Sequence, residues 1–150
     1  MHIFAISLAA VLGGLALPAG AQTSAGAAQF PSTEIKWGPM TPATGPGAES
    51  AILTGSLDKP GGMYTLRIRM AKGGMVKPHV HPDDRYVTVL SGDMYAGRGD
   101  VVAEDKASVY PPESYYKIPA GAVHFAWAGD GEVVYQESGL GPSGNSFLGK

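Results

Sequence analysis

Beyond residue 47 the sequence breaks into short runs of alternating apolar and polar residues, separated by turns rich in Gly and Pro. The clearest run is 63–70. Tyr64, Leu66, Ile68 and Met70 fall on one face of an extended chain, and Thr65, Arg67 and Arg69 on the other. A period of two is the mark of a strand with one buried face. The same criterion predicts strands at 51–54, 85–90, 94–97, 115–118, 122–128 and 132–138, with a further strand entered through Gly73-Gly74. Pro60-Gly61-Gly62, Ser91-Gly92-Asp93, Pro119-Ala120-Gly121 and Gly129-Asp130-Gly131 mark the turns between them. Pro82-Asp83-Asp84 predicts a tight bend. Residues 99–112 read as irregular, with 101–103 and 107–110 too brief to assign, and 139–150 as a Gly-rich tail. No stretch carries a helical period. Many short strands with regular turns predict an all-β sandwich or barrel.

The first 47 residues break this pattern. An apolar run from Ile3 to Leu17 is followed by Pro18 and Ala19-Gly20-Ala21, the small-residue signature of a cleavable export signal over 1–21. The run is shorter than the roughly 20 apolar residues a membrane-spanning helix needs. Residues 22–47, rich in Ala, Pro, Thr, Ser and Gly, predict an extended arm, in which Trp37 is large enough to dock on the barrel or on a partner subunit. The folded domain is expected over 48–150. Export places the mature protein in the periplasm or outside the cell, with no membrane attachment once the signal is removed.

Composition narrows the function mainly by exclusion. A chain of 150 residues, 44% hydrophobic, supports one core. A net charge of −2 provides neither the basic footprint of a nucleic-acid binder nor a cationic face for anionic lipid. Cysteine is absent, which removes disulfides, thiolate ligands and thiol nucleophiles.

The chemistry concentrates in histidine. His79 and His81, one residue apart, project from the same side of a strand, and His124 follows the Pro119-Ala120-Gly121 turn. Two such imidazoles plus a third from a neighbouring strand make a facial set of three nitrogens that suits a first-row divalent metal and leaves coordination positions open. Each imidazole must be neutral to ligate, so binding weakens below the ordinary histidine pKa of about 6.5. His2 lies in the signal and has no role.

Gly73, His79, His81, position 85 and Gly92 stand at the spacing of the first cupin motif, and Pro119, Gly121 and His124 at that of the second. The chain therefore resembles the cupin superfamily over about half of its mature length. The resemblance implies a double-stranded β-helix, a jelly-roll barrel, with His79, His81 and His124 as metal ligands. Two departures stand out: Arg85 occupies the place where many cupins carry a ligating Glu, and Ala128 replaces a frequent Asn.

Arg85 shares strand parity with Val87 and Val89, which favours an inward side chain able to hold an anionic substrate bidentately. Pointing outward, it would be a surface ion pair with Asp83 or Asp84. Asp83 and Asp84 stand where a carboxylate ligand could substitute for the missing Glu, but the residue type favours the simpler reading that Asp makes the bend by bonding its own backbone. Tyr86, with Arg85, is the candidate catalytic pair. Tyr95, Tyr115, Tyr116 and Tyr135 either line a pocket or pack as core, and Gln136 and Glu137 are weaker candidates for contacts behind the ligands. Val123, Phe125 and Trp127 form an apolar stripe opposite His124, expected to be covered by the arm or by a second subunit. Cupin resemblance favours a homodimer. It further implies a metal-dependent, dioxygenase-type enzyme acting on a small anionic organic substrate, with Fe(II) the first choice and Mn, Ni, Cu or Zn compatible. The alternative is a non-catalytic module binding a metal or a small molecule.

Overall fold

In the computed structural model, residues 31–40 and 47–148 are described. The expected signal peptide, and 22–30 and 41–46 of the expected arm, lie outside them. The strands in chain order are β1 (Gly38–Pro39), β2 (Ala48–Thr54), β3 (Met63–Met70), β4 (Met75–Val80), β5 (Arg85–Ser91), β6 (Met94–Arg98), β7 (Ala107–Tyr110), β8 (Tyr115–Ile118), β9 (His124–Ala128), β10 (Val133–Leu140) and β11 (Ser146–Phe147). The described residues include no helix beyond two 3-10 turns, Ser32–Glu34 and Glu104–Lys106.

All pairings are antiparallel and form two sheets. One has six strands in the order β1-β2-β3-β10-β5-β8, the other five in the order β11-β4-β9-β6-β7. These sheets enclose the expected jelly-roll. Alternation drives the packing: in β3, Tyr64, Ile68 and Met70 are sealed from solvent, as are Val87 in β5, Met94 in β6 and Val133 in β10. The outer face of β3 is a polar ladder, as its sequence predicts. Arg67 donates to Gln136 Oε1 at 2.9 Å, Thr65 and Ser138 share a hydrogen bond at 2.9 Å, and Arg69 pairs with Glu49 at 2.6 Å.

Trp37 lies on the barrel, one of the two placements expected for it, with its ring centroid 4.5 Å from the Arg69 guanidinium on the outside of the six-stranded sheet. The Phe125 ring is buried by its own chain, stacking on Trp127, which stacks on Tyr95 at 5.2 Å. The site for that ring exists because residue 97 lacks a side chain. A Cβ there would stand 2.5 Å from both the Phe125 ring and the Lys106 carbonyl oxygen. Gly97→Ala is accordingly expected to cost about 1–3 kcal/mol through overpacking, measured as a lower denaturation midpoint.

Strand ends differ from the sequence prediction in instructive ways. β2 starts at Ala48 because polar Glu49 and Ser50 gain partners across the sheet in Pro39 and Gly38. β9 starts at His124 because Ala122 belongs to the preceding turn, donating its N–H to Pro119 O at 3.1 Å. Of the two unassigned stretches, 107–110 is a strand, sheltered by pairing with β6, and 101–103 is not. The Gly-rich tail also behaves otherwise than expected. Its end adds β11 to the edge of β4, with Phe147 opposite His79.

Candidate metal centre

His79 lies near the end of β4, His81 one residue beyond that strand, and His124 opens β9 directly opposite His79. All three are buried. Their ligand atoms lie within 4.8 Å of one another, the one such His, Cys, Asp and Glu cluster among the described residues. Each ring is held the same way, with Nδ1 against a backbone carbonyl: Lys77 O at 2.7 Å for His79, Gly144 O at 2.8 Å for His81, and Ala122 O at 2.9 Å for His124. A carbonyl can only accept, so each Nδ1 carries the proton and each Nε2 keeps its lone pair. The Nε2 atoms of His79 and His81 then face each other at 3.2 Å. Two lone pairs repel at that distance unless a cation lies between them. Nitrogens about 2.0–2.1 Å from one metal at adjacent coordination positions stand roughly 3.0–3.4 Å apart, so the donor set fits a metal ion.

Burial, more than any neighbouring charge, pushes the pKa of His79 and His81 down to about 3, with His124 and Arg85 respectively the next contributors. The pKa of His124 is lowered too, again mainly by burial. The rings are neutral at neutral pH, the form that ligates. A stability consequence follows. Between about pH 6.5 and 3, unfolded His79 and His81 bind protons that the folded forms refuse, so metal-free protein loses stability as pH falls through that window. By about pH 5 the loss is roughly 2 kcal/mol for each ring. Chemical denaturation in a chelator at pH 7.5 and 5 tests this, and an unchanged midpoint would contradict it.

Arg85 points inward, as parity with Val87 favoured, and is 3% exposed. Its guanidinium is already engaged: Nη1 donates to Glu137 Oε2, Nη2 to Ser143 Oγ at 2.8 Å, and Nε lies 3.6 Å from Asp83 Oδ1. Asp83 in turn accepts from Tyr64 Oη and Ser143 Oγ. Asp83 is thus part of a buried polar cluster beside the histidines and not among the candidate ligands. Asp84 lies at the surface, accepting from Ala120 N–H at 2.9 Å and pairing with Lys117 at 2.6 Å. It braces the turn that presents His124.

Tyr86, expected as a catalytic partner of Arg85, does not reach the site. Adjacent strand residues face opposite ways, so Tyr86 projects outward, 42% exposed, with the Lys117 ammonium 5.7 Å from its ring. Gln136 also faces outward, whereas Glu137, its neighbour, faces in. Of the remaining tyrosines, Tyr116 and Tyr135 line the cavity; Tyr95 stacks on Trp127 and Tyr115 is exposed. Burial raises the phenol pKa of both cavity tyrosines well above the ordinary value, so they stay protonated.

The three histidines, Arg85 and Glu137 line a cavity of about 330 Å³, with Ile52, Leu57, Leu66 and Ile68 supplying apolar wall. Pro39 and Met40 of the arm, and Gly144 and Asn145 of the tail, complete it. Sequence reasoning missed these four residues and Ser143. Gly-Pro-Ser-Gly-Asn carries turn chemistry only, and nothing in it signals a return to His81, 63 residues earlier.

The sequence of residues 27–140 matches the model of the ChrR cupin-like domain family. No curated protein matches the chain. Among solved structures, the polyketide cyclase RemF from Streptomyces resistomycificus superposes with a TM-score of 0.66 at 18% identity, over 81% of this chain and 87% of that one. KdgF from Halomonas sp. gives 0.59 at 18% identity, over 74% and 92%. A recombinant oxalate oxidase in complex with glycolate gives 0.55 at 23% identity, over 75% and 59%. At such identities the likeness is one of fold alone. The profile match spans most of the chain and includes all three histidines, and the fold agrees with it: the chain belongs to the ChrR cupin-like domain family of cupins.

Proposed function

We propose that this protein is a metal-dependent oxygenase that acts on a small anionic organic substrate. One observation carries the proposal: three neutral imidazoles, each with Nδ1 tied to a backbone carbonyl, bring their ligand atoms within 4.8 Å of one another in the lining of a partly apolar cavity. His79, His81 and His124 would hold a divalent transition metal, Fe(II) first, with Mn, Ni, Cu or Zn compatible with the same nitrogens. When bound, the metal supplies a Lewis-acidic centre and, if redox-active, electrons for reaction with O2.

The protein's own residues do the remaining work. Ile52, Leu57, Leu66 and Ile68 exclude water from the body of the substrate. Tyr116 and Tyr135, protonated, offer hydroxyl groups at the cavity wall. Arg85 fixes the Glu137 carboxylate beside the histidines. That a structural relative is an oxalate oxidase holding glycolate is in keeping with a small oxygen-rich guest.

The test begins with metal content by elemental analysis. Metal-reconstituted protein is then incubated in air with 1,3-dicarbonyls, catechols, thiols and hydroxy acids while O2 is followed. Uptake that disappears in His124→Ala is the expected result. Ligand binding without uptake or product across the panel assigns a non-catalytic binding module instead. Export and a homodimer belong to the same proposal. The mature protein is expected to begin at Gln22, read by intact mass, and to scatter light as a dimer.

A further inference from the structure

Glu137 has one carboxylate oxygen to spare. Its Oε2 accepts from Arg85 Nη1, while Oε1 has no hydrogen-bond partner among the described residues. The side-chain polar atoms sealed from solvent without a partner are Arg67 Nε and Arg85 Nε; Glu137 Oε1 is not among them, and Glu137 lines the cavity beside the three histidines. A carboxylate oxygen can only accept. It therefore calls for a donor on whatever fills the cavity.

The charges around it say what else the guest carries. Arg85 is flanked by two carboxylates, Glu137 and Asp83. One positive and two negative groups leave one negative charge, and a divalent ion on three neutral imidazoles leaves the whole site with one positive charge to balance. Arg85, with both Nη atoms engaged, has little left for a substrate anion. It acts as the positioning residue that orients Glu137. The apolar part of the same lining, Ile52, Leu57, Leu66 and Ile68, accommodates a hydrocarbon or aromatic body.

Building on the metal reading above, we propose that Glu137 is the specificity-determining residue of this site. It selects monoanionic guests that carry a hydroxyl beside the metal-seeking oxygen, α-hydroxy acids with an apolar substituent being the simplest class. The anionic oxygen is directed to the three-histidine centre and the hydroxyl donates to Glu137 Oε1.

Three probes of equal charge and similar body separate the possibilities: mandelate, its methyl ether α-methoxyphenylacetate, and the keto acid phenylglyoxylate. Co(II)-loaded full-length protein is titrated with each, and the visible spectrum and calorimetry report binding. Wild type is expected to prefer mandelate over either analogue by about 10-fold or more, the discrimination that a hydrogen bond to a charged acceptor provides. In Glu137→Gln, Arg85 can only donate, so the amide oxygen must face Arg85 and the NH2 must face the cavity. The preference is then expected to invert toward phenylglyoxylate, whose keto oxygen accepts.

Equal affinity of wild type for all three probes overturns the proposal, and so does Co(II)-loaded protein that binds none of them. An unchanged preference in a Glu137→Gln variant that still binds Co(II) overturns the role of Glu137. The wild-type comparison stands by itself if that variant does not fold. Absence of any Co(II) spectrum before probe is added overturns the metal reading, and this proposal with it.

Discussion

In His124→Ala, metal affinity is expected to fall by more than the roughly 10–100-fold that loss of a supporting hydrogen bond costs a metal site. The physical reason is the number of donors. Among the described residues the cluster has three, none of them a carboxylate, and no other His, Cys, Asp or Glu completes such a group. Removing His124 leaves two nitrogens from the same strand region and takes away the one that β9 would contribute to an ion. The readout is competition with a chromophoric chelator, backed by thermal unfolding with and without metal. At a free-metal concentration 100 times the dissociation constant, wild type gains about 2.7 kcal/mol of apparent stability, and the variant is expected to gain none. A variant that competes for metal as well as wild type would show that the histidines are a buried structural cluster and not a ligand set.

Arg85→Met is expected to have the largest effect on the fold itself. The guanidinium is 3% exposed and lies between the carboxylates of Glu137 and Asp83. Breaking a buried pair from one side strands the charge left behind, which costs about 3–5 kcal/mol. For a chain of this size that lowers Tm by about 10–20 °C. Asp83 keeps Tyr64 and Ser143 as donors, so most of the loss is assigned to Glu137. The double variant Arg85→Met with Glu137→Leu is therefore expected to recover a large part of it. If the single variant melts within a few degrees of wild type, the ion pair is not holding the barrel wall together. Affinity for mandelate measured on the same variants asks the second question. A substrate grip would show as lost binding in Arg85→Met even where the fold survives, as would loss of Glu137 orientation. Only the latter changes the preference between mandelate and its keto analogue.

Much of the architecture was readable from alternation alone, because a strand with one buried face must repeat its apolar residues every second position. β3 and β8 appear at the predicted bounds. The histidine set was readable for a related reason: His79 and His81 share strand parity, and a Pro-x-Gly turn positions His124 against them. Parity also favoured the inward of the two orientations open to Arg85, the one observed. The same rule, applied one residue further, puts Tyr86 outside, and its pairing with Arg85 as a catalytic residue failed on that point. Parity equally separates Gln136 from Glu137, which composition treats as near equivalents.

By itself, the sequence determined the all-β class, the motif spacing, the three ligand candidates and the exclusion of thiol and disulfide chemistry. Those properties depend on residue type and on separations of a few positions along one strand. Tertiary structure alone decided that Arg85 is neutralised by Glu137, 52 residues away, that Gly144 in a featureless tail orients His81, and that Pro39 and Met40 of the arm help wall the cavity. The reason is that a backbone carbonyl or a cross-strand carboxylate has no local pattern. Which group it serves is set only when the two sheets close and bring distant segments within hydrogen-bonding distance.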